Sequence, residues 1–412
     1  MDRTIDHQIF QSIFSKDEGT KKNARQTIRK TADEKGILPS SLFTLYKAIG
    51  RREIDRQLTV PAINIRTLTY DTARIIFKLM HKHQIGPVIF EIAKSEMGYT
   101  DQTPDEYAVS IISAALKENY KGPVFIQGDH FQLNKDHFEN HKGREIHTVE
   151  VLIKESIDAQ FYNIDIDAST LVDLKQPTAE KQQELNSEIT AHFTSFIRNL
   201  QPPDITVAVG GEIGHIGGVN STTQDFRAFM NQYLAQIQTD GISKVSIQTG
   251  SSHGGTVMPD GTVKKVSIDF STLDAIGQLA KNKYGLGGAV QHGASTLPLE
   301  LFDTFPKNNT VEIHLATGFQ NSVYTHMPEK LKEEMYSYVK NHFSNERVDG
   351  QSDEQFLYKL RKKALGPFKK QLWELRSEEK MPILSALGKQ FETIFEKLGV
   401  YNTRGILNEY YG

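Results

Sequence analysis

The amino-acid sequence predicts an α/β protein, a (β/α)8 TIM barrel with N-terminal and C-terminal helical extensions. Three observations support this fold class: eight short apolar runs rich in β-branched residues, intervening stretches long enough for amphipathic helices, and charged helix-favouring segments at both ends. Eight βα units close a barrel, although a doubly wound open sheet would show the same alternation. The eight runs are 58–65, 87–93, 123–129, 159–167, 205–213, 244–250, 287–293 and 310–316.

The stretches between and outside these runs predict helices. Clear examples are 69–83, 103–118 and 222–237, and several such stretches begin with a Thr or Asp placed to cap a helix. The N-terminal segment has apolar residues at helical spacing, and the C-terminal segment is again charged and helix-favouring. We therefore predict three regions: an N-terminal helical extension over 1–55, a catalytic barrel over 56–327, and C-terminal helices over 328–412 that pack on the barrel or on a partner subunit.

Composition narrows the class of protein. The 412 residues are 38% hydrophobic and 24% charged, as in a globular protein with a sizeable core. A formal charge of -3 gives no electrostatic footprint for nucleic acid or an anionic membrane, and no segment resembles a membrane span or a signal peptide. The chain has no cysteine, which leaves imidazole and carboxylate as metal ligands. We expect a cytoplasmic protein whose partner is a small molecule.

Polar residues at the ends of the predicted strands carry the main functional signal. In a barrel the carboxyl ends of the strands converge on one mouth, where active sites lie. A single histidine there is usually structural, but three at successive strand ends with carboxylates between them favour a metal site. Three imidazoles with an open fourth position suit catalytic zinc, and cobalt, manganese or iron stay open as alternatives. The strand-end residues are Asp129, His130, Asp165, Asp167, Glu212, His253, His292 and His314, and the proposed ligands are His130, His253 and His292.

Small and hydroxyl residues after the last three predicted strands suggest a phosphate site. Barrels often bind phosphate with the loops after strands seven and eight, where exposed backbone N–H groups and hydroxyls act as donors. Each glycine alone is more often a turn residue, but their occurrence beside the histidines favours phosphate. The candidates are Gly254, Gly293, Ser295 and Thr317.

Four ordered motifs are similar to those of the class II, zinc-dependent ketose-bisphosphate aldolases. The resemblance extends from about Pro61 to the LGP segment near residue 365. It includes an Asp-His pair after strand three, an ExGxxGG segment, a GxxHG segment and a segment that resembles HGGSG. These motifs are Asp129-His130, Glu212 to Gly218, Gly250 to Gly254, and His292 to Thr296.

The resemblance implies roles for individual residues. It implies that His130, His253 and His292 bind the catalytic zinc and that Asp129 exchanges a proton with the hydroxyl next to the cleaved bond. It also implies a nearby carboxylate that positions or transiently binds the metal, a carboxylate near a second cation site for which a monovalent ion is one candidate, and residues that contact substrate or phosphate. Glu212 is the carboxylate near the catalytic metal, and Asp167 is the carboxylate near the second cation. The residues that contact substrate or phosphate are Asn64, Gly254, Gly293, Ser295, His314 and Thr317.

The chain also departs from the family pattern. His314 stands where the family has an Asn that touches the triose part of the substrate, and Gly318 replaces an acidic residue. The acidic pair that normally follows the ExGxxGG segment is absent, which removes the usual second acid/base residue. The segment 90–107 instead resembles the non-catalytic partner subunit of tagatose-bisphosphate aldolase.

These observations predict a class II aldolase of carbohydrate metabolism, such as glycolysis, that cleaves a ketose phosphate or bisphosphate. Retro-aldol cleavage through a zinc-stabilised enediolate would give a triose phosphate and an aldehyde. Two alternatives stay open: a non-catalytic or regulatory aldolase-like subunit, and a metal-dependent isomerase or epimerase in which His215 or His314 acts as acid/base. Lys94 and His314 are candidates to contact a second acidic or phosphate group. We expect a homo-oligomer, either a dimer or a tetramer.

Overall fold

The computed structural model describes residues 2–214, 219–250 and 267–411. Within these ranges it has nine strands, each parallel to its neighbours. The strands are β1 (Ile37–Pro39), β2 (Val60–Asn64), β3 (Ile89–Ala93), β4 (Gly122–Gln132), β5 (Asn163–Asp167), β6 (Ala208–Glu212), β7 (Lys244–Ile247), β8 (Ala289–Gln291) and β9 (Thr310–Leu315).

Strands β2 to β9 form a closed barrel. Each pairs with the next along the chain, and β9 pairs with β2, where Ala62 lies opposite His314. The predicted (β/α)8 TIM barrel is therefore confirmed. Strand β1 lies outside the ring and pairs with the start of β4, where Ile37 lies opposite Gly122. The sequence pattern did not predict this strand, because three residues are too few to show a period.

Helices follow the barrel strands along the chain and also form its N-terminal and C-terminal regions. The α-helices in the described ranges are α1 (Asp2–Phe14), α2 (Glu18–Glu34), α3 (Phe43–Gly50), α4 (Thr69–Lys82), α5 (Lys94–Thr100), α6 (Pro104–Lys117), α7 (Lys135–Asp158), α8 (Ala179–Leu200), α9 (Thr223–Gln236), α10 (Phe270–Tyr284), α11 (Thr317–His326), α12 (Glu329–His342), α13 (Asp353–Leu360), α14 (Lys369–Trp373), α15 (Ser377–Lys397) and α16 (Arg404–Tyr411). Short 3-10 helices are Ser169–Leu171, Leu299–Thr304, Pro306–Asn308, Ser344–Glu346 and Arg361–Ala364.

Local sequence explains where several helices begin. The Thr103 hydroxyl accepts a hydrogen bond from the backbone N–H of Glu106 at the start of α6, and Thr222 accepts one from Asp225 at the start of α9. Helix α10 ends at Gly285, whose φ of 61° is the left-handed conformation that glycine adopts without strain. These caps satisfy backbone groups that a helix leaves unpaired at its ends.

The terminal helices pack on the barrel's helical layer. Helix α1 contacts α2 and α6, and α15 contacts α4 and α11. An aromatic contact joins the two ends of the chain, since the rings of Phe14 and Trp373 have centroids 5.5 Å apart. Among the described residues, no helix is both long enough and apolar enough to cross a membrane.

Candidate active site

An irregularity in β4 brings two consecutive polar side chains into the barrel mouth. The register of β4 with β5 shifts between Gly128 and Phe131, and His130 has a φ of 43°, in the left-handed region. Successive residues of a regular strand point to opposite faces, so a bulge is needed for Asp129 and His130 to share one cavity. A side chain at Gly128 would lie 2.4 Å from the Phe131 ring, so glycine is required there.

His130 lies against two carboxylates from the next strands of the barrel. Its Nδ1 is 3.2 Å from Oδ2 of Asp167 on β5 and 3.3 Å from Oε2 of Glu212 on β6. Its ring centroid is 4.3 Å from that of His292, which follows β8. Parallel strands that end at the same level thus bring four sequence-predicted residues together.

Burial and neighbouring charges at this cluster shift the pKa values of His130, Glu212 and Asp167. Burial would lower the pKa of His130, but the carboxylates of Asp129 and Glu212 outweigh it and raise this pKa well above its usual value. Burial together with the charge of Asp167 raises the pKa of Glu212 to about 7. For Asp167, burial is outweighed by hydrogen bonds from His130 and Ser169, which lower its pKa. Such perturbed groups in a cleft are typical of functional sites.

The cluster fits a divalent metal ion. One donor atom from each of His130, Glu212 and His292 lies within 4.8 Å of the others, and the three side chains are largely buried. Imidazole and carboxylate are the donors that zinc and similar ions prefer in a protein without cysteine. The predicted ligand His253 and the predicted phosphate residue Gly254 lie outside the described residues.

A cavity of about 540 Å³ opens above the cluster, a size that suits a small ligand. Most of the predicted site residues line it, from the carboxyl ends of six different strands or the loops that follow. They are Asn64, Asp129, His130, Asp167, Glu212, His292, Gly293, Ser295, His314 and Thr317. Asp165 does not line the cavity; it lies deeper in the barrel and pairs with Lys244.

The loops after β8 and β9 meet at the predicted phosphate residues. The Ser295 hydroxyl accepts a hydrogen bond of 2.6 Å from the backbone N–H of Ala316, and Thr317 begins helix α11. A side chain at Gly318 would lie 2.4 Å from the Ser295 carbonyl oxygen, so this close approach explains the glycine in place of an acidic residue. A helix N-terminus with small residues beside it presents backbone N–H groups suited to an anion.

Three cationic residues that also line the cavity form a group that we call the cationic rim: Arg66, Lys94 and Lys362. Arg66 pairs with Glu96 at 2.6 Å, and Lys94 donates a 2.9 Å hydrogen bond to the Gln132 carbonyl. Within the described residues, Lys362 has no carboxylate within ion-pair distance, and burial together with the nearby Arg66 charge lowers its pKa. Sequence reasoning named Lys94 but missed the other two. Arg66 follows a strand end, which is a usable signal, whereas nothing local marks Lys362.

Below the mouth lies a group of polar side chains that we call the mid-barrel cluster: Glu91, Gln127, Asp165, Lys244, Glu312 and His314. Lys244 pairs with Asp165 at 2.9 Å and with Glu312, and donates a 2.8 Å hydrogen bond to Gln127. A side chain at Gly210 would lie 2.3 Å from Asp165, so glycine makes room for the pair. A charged residue inside an apolar run, as in PVIFEIA and TVEIHLA, is the sequence signal for this cluster.

Comparison with known protein families shows the family to which the chain belongs. The family described as fructose-bisphosphate aldolase class-II matches residues 46–389, most of the chain.

The chain belongs to the class II fructose-bisphosphate aldolase family. The resemblance seen in its motifs is thereby confirmed. None of the curated proteins matches the chain.

Solved structures share this barrel fold at low sequence identity. A fructose-bisphosphate aldolase from Campylobacter jejuni matches with a TM-score of 0.53 and 18% identity, covering 89% of this chain and 97% of that one. A probable tagatose 6 phosphate kinase from Sinorhizobium meliloti matches with 0.54 and 12%, covering 85% and 99%. A fructuronate-tagaturonate epimerase from Cohnella laeviribosi matches with 0.60 and 11%, covering 84% and 82%. At these identities the likeness shows the fold alone.

Proposed function

We propose that this chain is a metal-dependent aldolase that cleaves a ketose phosphate or bisphosphate to a triose phosphate and an aldehyde. The observation that carries the proposal is the donor cluster of His130, Glu212 and His292 beside Asp129, at the floor of a cavity sized for a sugar phosphate. Membership of the aldolase family supports the same reaction. His253 completes the proposed ligand set by resemblance, with zinc as the first candidate among divalent ions.

A divalent ion bound there would supply Lewis acidity to the carbonyl next to the cleaved bond. Asp129 would accept the proton of the hydroxyl on the other side of that bond, so that the carbon–carbon bond breaks and its electron pair goes to the ketose fragment. Asp129 is buried, and its Oδ1 lies 3.2 Å from Nδ1 of His314. This contact holds the carboxylate in one orientation.

The ketose fragment must then receive a proton. Glu91 lines the cavity, and burial raises its pKa to about 7, so it can carry a proton at neutral pH. We propose Glu91 as the group that takes the place of the acidic pair missing after the ExGxxGG segment.

Two anion-binding regions define the proposed substrate. Gly293, Ser295 and Thr317 would hold one phosphate at the start of α11, as predicted from sequence. The cationic rim lines the same cavity and would hold a second anionic group. A ketose with an anionic group at each end therefore fits better than a neutral sugar. The homo-oligomer, the cytoplasmic location and a second cation near Asp167 stay proposals.

An epimerase is the second candidate. His314 stands where the aldolase pattern has an Asn, and it adds a proton-carrying group to the cavity wall. Epimerisation needs proton removal and return on the two faces of one carbon, which two such groups can provide. The test below separates this reaction from cleavage, because epimerisation releases no triose phosphate.

The deciding experiment combines metal analysis with a coupled assay for triose phosphate release from fructose and tagatose bisphosphates, with and without chelator. We expect about one divalent ion per chain and chelator-sensitive release. His130→Ala should lose the release and the ion that the protein retains when it is purified without added metal, whereas the matched control His192→Ala, an exposed histidine that pairs with Glu150 at 2.9 Å, should lose neither. Full metal retention by His130→Ala would contradict the ligand assignment. Bound metal without release from either sugar would favour the epimerase.

A further inference from the structure

The imidazole of His314 is surrounded by carboxylates within the barrel. Its Nδ1 is 2.9 Å from Oε2 of Glu91 and 3.2 Å from Oδ1 of Asp129, and its Nε2 is 2.7 Å from Oε1 of Glu312 and 3.5 Å from Oδ2 of Asp165. These four carboxylates come from four different strands. They are held together by the backbone register of the barrel, and not by one flexible loop.

This region holds more negative than positive charge. Lys244 contacts it through Asp165 and Glu312, and His130 lies 3.8 Å from Asp129, so the four carboxylates outnumber the cationic side chains of the described residues that contact them. All of these side chains are nearly inaccessible to water. Buried charge without compensation is strongly unfavourable, so further positive charge must come from bound protons or from a bound cation.

The same region offers a set of metal donors. One donor atom from each of Asp129, Asp165, His292 and His314 lies within 4.8 Å of the others. His314 and Asp165 are 5% and 9% exposed, and neither ring nitrogen of His314 makes a hydrogen bond of acceptable geometry with the carboxylates around it. Two imidazoles with two carboxylates are a donor set that zinc, cobalt, iron and manganese accept.

We propose that Asp129, Asp165, His292 and His314 form an inner divalent-cation site, deeper in the barrel than the outer site at His130, Glu212 and His292. Because His292 belongs to both donor sets, occupation of the inner site withdraws a ligand from the outer one. It also takes the carboxylate of Asp129 away from proton exchange. Excess metal therefore inhibits the enzyme through the inner site, an effect that rests on the proposed function, whereas the binding itself does not.

The test removes the outer donors and asks whether an ion still binds. The variant His130→Ala/Glu212→Gln is dialysed against Zn²⁺, Co²⁺ or Mn²⁺, and its metal content is measured; we expect about one ion per chain. Adding Asp165→Asn and His314→Gln should abolish that binding. Adding His192→Gln instead is the matched control, since His192 is exposed and lies outside both donor sets, and binding should persist.

Two results would overturn the inner site. If the outer-site variant binds no ion although circular dichroism shows that it is folded, bound protons alone compensate the negative charge of the four carboxylates around His314. If the fourfold variant keeps its ion, the ion lies elsewhere. Should the variants fail to fold, wild-type crystals soaked in MnCl2 decide by anomalous scattering: a peak between Asp165 and His314 supports the proposal, and its absence overturns it. These readouts measure binding alone, so a negative aldolase assay does not affect them.

Discussion

The barrel carries charged side chains at two levels, the mid-barrel cluster and the cationic rim at the mouth. In the mid-barrel cluster Lys244 is 1% exposed and its ammonium group is enclosed by Asp165, Glu312 and Gln127. In the rim Lys362 lines the cavity, and no carboxylate of the described residues lies within ion-pair distance of it. The difference indicates that the charge of Lys244 in the barrel interior fixes the positions of side chains, whereas the charge of Lys362 at the mouth is left for a ligand.

Asp129 connects the two levels, and its substitution should have the largest effect on activity. Asp129→Asn keeps the size of the side chain but removes the proposed proton acceptor, so we expect turnover to fall by about 10²- to 10⁴-fold with outer-site metal retained. Steady-state kinetics with metal analysis measure both. Asp173→Asn is the control, since Asp173 is a partly exposed carboxylate that is not among the described residues lining the cavity. Unchanged turnover in Asp129→Asn would remove this residue from the mechanism.

Lys244→Met should cause the largest loss of stability. It leaves Asp165 and Glu312 buried without their cation, and breaking a buried ion pair in this way costs about 3–5 kcal/mol in the free energy of unfolding. Chemical denaturation measures this. Lys362→Met at the mouth should cost less than about 1 kcal/mol, because that ammonium group is only partly buried and has no carboxylate of the described residues within ion-pair distance. Equal losses of unfolding free energy in the two variants would contradict the difference proposed between the mid-barrel cluster and the cationic rim.

Glu91 should make the stability of the metal-free protein depend on pH. Burial raises its pKa from 4.5 to about 7 in the folded state, so the folded protein binds more protons than the unfolded chain between these values. This contribution is fully present below about pH 4.5 and is lost as pH rises through 7, in total on the order of 3 kcal/mol. Glu91→Gln should remove that dependence, measured by denaturation from pH 5 to pH 8. Parallel pH profiles for wild type and variant would contradict the shift.

Lys362→Met should have the smallest effect, confined to substrate affinity. Loss of one charged contact to an anion should raise KM by about tenfold for a substrate with an anionic far end, with kcat unchanged. The neighbouring Lys363→Met is the control, since Lys363 pairs with Glu346 at 2.6 Å and does not line the cavity. If KM rises equally for a sugar monophosphate with a neutral far end, the cationic rim does not bind the anionic group at the far end of the substrate.

The secondary structure of the barrel could be predicted because it depends on local patterns. The run 58–65 contains β2 and the run 159–167 contains β5, and the helix predicted at 103–118 is observed as Pro104–Lys117. Strand β4 extends to Gln132, three residues past the predicted run that ends at 129, because the bulge at His130 lets pairing with β5 resume. A bulge changes the two-residue period, so periodicity alone ends the strand too early.

The candidate site could be predicted only in part. Polar residues at strand ends, such as His130 and His292, were identifiable because parallel strands end at one mouth. Lys362 was not, since it comes from the C-terminal region and reaches the cavity only through the packing of the chain. The three region boundaries and the roles of individual site residues stay predictions.

The sequence by itself determined the eightfold alternation and the side of the barrel on which the polar residues gather, because both follow from the order of short segments along the chain. The tertiary structure alone decided which side chains meet across the barrel. The four carboxylates around His314 come from strands far apart in sequence, and their distances depend on strand register and barrel closure. Local periodicity carries no information about such distances, so the mid-barrel cluster and the cationic rim appear only in the folded molecule.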